Sequence, residues 1–78
     1  MDKTYSIIAL DGRSQEVLKE NLSLIDAVND ACLGSRASDN VWAVVDEEND
    51  HLTKAFLRGK ELDRHFINSV VYGLGRFV

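Results

Sequence analysis

The chain has no proline, no low-complexity tract and no internal repeat, and this composition leaves no interdomain linker in its 78 residues. One domain is implied, and a domain this small buries only roughly 60% of the surface its unfolded chain exposes. Cysteine is nearly absent too. With Cys32 alone, an internal disulfide and a multi-thiolate zinc site are both excluded. The longest apolar runs fall far short of the roughly 20 residues that a membrane-spanning helix needs. Met1 to Thr4 lead into a strand-like run without the basic stretch and long apolar segment of a secretory leader. A cytoplasmic location is therefore expected, with no membrane association. Positive charge is also scarce. Nine Lys and Arg face thirteen Asp and Glu, for a net charge of −4 and a pI near 4.9. Phosphate-backbone binding needs a clustered basic surface, so direct contact with nucleic acid is not expected. Basic proteins are the more natural partners.

What the chain does have is a hairpin signature. Val41-Trp42-Ala43-Val44-Val45 precedes the polar stretch Asp46-Glu47-Glu48-Asn49-Asp50, and His51 to Leu57 follows it. Two β-rich runs around a polar break predict an antiparallel pair with its turn at residues 47–50. A register pairing Asp46 with His51 sets Ala43 beside Lys54 and Asp39 near Arg58. Strand alternation then puts Val41, Val45, Leu52 and Phe56 on one face, and Trp42, Val44, Ala55 and Leu57 on the other. Five consecutive apolar residues in the first run require cover on both faces.

Tyr5 to Leu10 reads as a strand that stops at Asp11-Gly12, a dipeptide suited to positive φ. Residues 15–21 are ambiguous between a second strand and the start of a long helix. The strand is preferred because Ser23, followed three residues later by Asp26, resembles a capping box that opens a helix near Leu24. Within that helix Leu24, Ile25, Val28, Ala31 and Cys32 share one broad face, and Gly34 is a natural stop. Residues 34–40 have loop composition. Leu62, Phe66, Ser69 or Val70, and Gly73 recur at helical spacing, which predicts a second helix over 61–73. The fold expected is thus α+β, in ββαββα order. Strands lie near 4–10, 15–21, 41–46 and 51–57, and helices lie near 24–33 and 61–73. A rival reading fuses 15–33 into one helix.

No catalytic, cofactor or metal signature stands out. Counting from Asp46, the sixth position is His51 rather than glycine and the twelfth is Leu57 rather than glutamate, so an EF-hand calcium loop is disfavoured. Neither His51 nor His65 has an activating partner at motif spacing. Cys32 sits near the wrong end of a helix dipole for a stabilised thiolate. None of the serines occupies a nucleophile turn, and Gly73-Leu74-Gly75 lacks the context of a dinucleotide fingerprint.

The candidate partner-binding residues are the acids Asp46, Glu47, Glu48 and Asp50, with Trp42, Phe77 and Val78. Acids on a turn are either a solvated tip or a contact for a basic partner. Trp42 is either core or an interface residue, the second because tryptophan is enriched at binding hot spots. The expected function is a small acidic non-enzymatic binding module. It would be an inhibitor or regulator docking on a larger protein, such as a basic nucleic-acid-associated one, in the manner of an immunity protein, antitoxin or phage inhibitor. The alternative is a structural homodimer closed by an apolar sheet face or the C-terminal tail, with a small enzyme a more distant third.

Overall fold

A computed structural model describes residues 3–11, 14–63 and 65. Among them the chain forms a five-stranded antiparallel sheet and one helix, a small α+β domain. In chain order the elements are β1 (Tyr5–Asp11), β2 (Ser14–Leu22), α1 (Leu24–Ser35), β3 (Val41–Asp46), β4 (His51–Leu57) and β5 (Lys60–Glu61). Spatial order across the sheet is β2-β1-β3-β4-β5. β3, whose apolar run needs cover on both faces, is therefore internal to the sheet, as are β1 and β4. The reading that fused 15–33 into one helix is overturned, since β2 pairs along β1 and α1 starts only after Ser23. The Ser23 hydroxyl accepts a hydrogen bond from the Asp26 N–H at 3.2 Å and caps the first turn.

The hairpin turn falls where the sequence puts it, but its register departs from the simple one. Asp46 faces His51 and Val45 faces Leu52, whereas Val44 faces Lys54 and Ala43 faces Ala55. Thr53 is the extra residue of a β-bulge. One inserted residue reverses the facing of everything beyond it. Phe56 therefore joins Trp42, Val44 and Ile7 beneath α1, while Ala55 joins Ala43, Val45, Leu52, Ile8 and Leu10 on the opposite face. The expected grouping of Phe56 with Val45, and of Ala55 with Trp42, is corrected by this bulge. That opposite face is buried as well, with Val41 and Leu62 packed against it, so it is not an open apolar surface.

The inward side of α1 is made of small residues. Ala27, Ala31 and Ser35 are buried, with Val28 and Cys32 packed alongside. Leu24 and Ile25, expected to face inward, are exposed. The reason is how closely the helix lies on the sheet: a Cβ placed on Gly34 would stand 2.1 Å from the Trp42 ring. Gly34 thus provides clearance for the aromatic ring instead of ending the helix, which continues to Ser35. It then tapers through hydrogen bonds from Arg36, Ala37 and Ser38 N–H to the carbonyls three residues back, at 3.2–3.3 Å.

After β4 the chain reverses through Arg58 (φ 53°) and Gly59 (φ 84°). Two successive residues with positive φ match the right-handed twist of a two-residue hairpin. Lys60–Glu61 consequently pairs with β4 as β5, where helical spacing predicts the start of a helix. Leu62 N–H extends the pairing with a 2.8 Å bond to Ala55 O. Residues 66–78, which hold the rest of that expected helix and both Phe77 and Val78, lie outside the described residues.

Candidate functional site

The acidic turn sits at one end of the sheet because β1 runs antiparallel to β3. Tyr5 stands opposite Asp46 and also opposite Leu22. The start of β1, the end of β2 and the β3–β4 turn therefore converge, although they are far apart in sequence. Their side chains divide the four acids into two pairs.

Asp46 is an organiser of the turn. Its carboxylate accepts hydrogen bonds from Lys3 Nζ (3.1 Å), Glu48 N–H (2.9 Å), Asn49 N–H (3.4 Å) and Asn49 Nδ2 (3.2 Å), and only 8% of its side chain is exposed. Its own carbonyl accepts from Asp50 N–H at 2.7 Å, with Asp50 at φ 56°. An aspartate bonded to the backbone two and three residues on is a side-chain mimic of a turn. Burial pushes its carboxyl upward, but the bonds from the Asn49 side chain, Lys3 and the two amides outweigh that and hold it at about 2. The same bond and charge raise the Lys3 ammonium above its ordinary value.

Glu47 is also engaged within the chain. Thr4 Oγ1 donates to Glu47 Oε1, Asn21 N–H donates to Oε2 at 3.1 Å, and Glu47 N–H donates to Thr4 O at 3.1 Å. The Thr4 hydroxyl and then the Asn21 amide lower its carboxyl. Asn21 adopts φ 58°, a left-handed geometry that asparagine tolerates better than most residues. Glu48 and Asp50 project as exposed acids, and exposed Glu20 and Asp26 lie at the same end. The sequence identified the acids but not what binds two of them, since Lys3, Thr4 and Asn21 arrive only through strand pairing.

At the opposite end, beyond Leu57, stand Arg36, Arg58 and Lys60 together with the exposed acids Asp39 and Glu61. Arg58 pairs with Asp39 at 2.7 Å, as the hairpin reading anticipated. The Arg36 side chain lies over Gly59. Ser35 Oγ donates to Cys32 O and accepts from Gly59 N–H, both at 2.9 Å, and Cys32 Sγ donates to Gly59 O at 3.4 Å. Cys32 and Ser35 thereby tie the end of α1 to the β4–β5 turn. Trp42 spans the space between them and the core: it packs among Ile7, Val44 and Phe56, and its indole Nε1 is buried with no hydrogen-bond partner among the described residues.

No helix among the described residues is long and apolar enough to cross a membrane, and no group of His, Cys, Asp and Glu among them is placed to hold a metal ion. Compared with protein-family models, curated proteins and solved structures, the chain matches none.

Proposed function

We propose that the protein is a small non-enzymatic binding module that acts in the cytoplasm and docks its acidic end on a basic surface of a larger protein. The observation that carries this reading is the division of the acidic turn. Asp46 and Glu47 build the turn and hold it to β1 and β2, which leaves Glu48 and Asp50 exposed on a backbone already fixed in place. Presenting exposed charge on a rigid turn lowers the ordering cost of a contact. Basic surfaces that bind nucleic acid are the natural complement, so inhibition of a nucleic-acid-associated protein, as by an immunity protein, antitoxin or phage inhibitor, is the role proposed.

Trp42 serves this function indirectly in the proposed reading, by packing α1 on the sheet. The partner surface is Glu48 and Asp50, with Asp46 and Glu47 supporting them. Differential capture tests the assignment. Wild-type protein and a Glu48→Gln/Asp50→Asn variant are immobilised and exposed to the same host extract at low salt. A basic protein retained by the wild type and lost by the variant supports the reading. Equal retention by both baits overturns it.

A further inference from the structure

We draw no further inference here: the strongest candidate, the surface patch formed by exposed Ile25 and Leu33 on the outer side of α1, is an unpartnered apolar face, and nothing in the structure shows what covers it.

Discussion

Asp46 and Gly34 each perform a task that their residue type alone does not reveal. The low value of Asp46 ties stability to pH in a definite direction. Its folded-state carboxyl lies at about 2 against an ordinary 3.8, so its stabilisation is fully present above the ordinary value and is lost as pH falls toward 2. Glu47 is shifted the same way and adds to the loss on the acid side. Thermal melts across this range should show the wild-type midpoint falling more steeply than that of Asp46→Asn. Parallel curves would mean that the bonds to Lys3 and Asn49 do not persist in solution. At Gly34, a methyl group would collide with the Trp42 ring. Gly34→Ala should therefore cost about 1–3 kcal/mol, the usual range for overpacking, despite the better helix propensity of alanine. Combining it with Trp42→Leu should recover part of the loss in a double-mutant cycle read by urea denaturation. Additive losses would show that the two residues do not press on one another.

At the scale of elements, the features with strong local signals were legible and those created by pairing were not. β3 and β4 stand where their β-rich runs lie, because a polar break between them leaves only one place to turn. α1 begins at its serine cap. The bulge at Thr53 was hidden because Ala55, Phe56 and Leu57 are all apolar, and such a run suits either facing. Only packing against α1 decides that Phe56 turns inward. Likewise β5 is too short to show a period, and its cause is the pair of positive φ angles before it. The inward side of α1 is not the one that residue size suggests, because close approach to Trp42 favours Ala27, Ala31 and Ser35 over Leu24 and Ile25. Two substitutions probe these elements. Phe56→Ala should cost about 3–5 kcal/mol in urea denaturation, as for a buried aromatic, while Leu57→Ala should cost much less; equal losses would contradict the bulged register. Gly59→Ala should cost about 1–2 kcal/mol for a left-handed backbone with a Cβ, and a neutral result would contradict the tight β4–β5 turn.

Across the whole molecule, strand direction decides which charges meet. Antiparallel pairing sets the acidic turn with Glu20 and Asp26 at one end, and Arg36, Arg58 and Lys60 at the other beside Asp39 and Glu61, although neither group is contiguous in sequence. The sequence therefore revealed the acidic turn and its sign but not its division into supporting and exposed members, which depends on Lys3, Thr4 and Asn21. Exposed carboxylates contribute little net affinity, yet their field extends over roughly 10 Å at moderate salt. Their effect belongs mainly to the rate of encounter. The association rate between this protein and the basic partner it captures, followed by stopped flow at low and high salt, is the decisive quantity. Glu48→Gln/Asp50→Asn should slow association by up to about tenfold at low salt, with the two proteins converging as salt rises and with dissociation little changed. An association rate identical to wild type at low salt would contradict the account and leave the acidic turn as a solvated cap on the sheet.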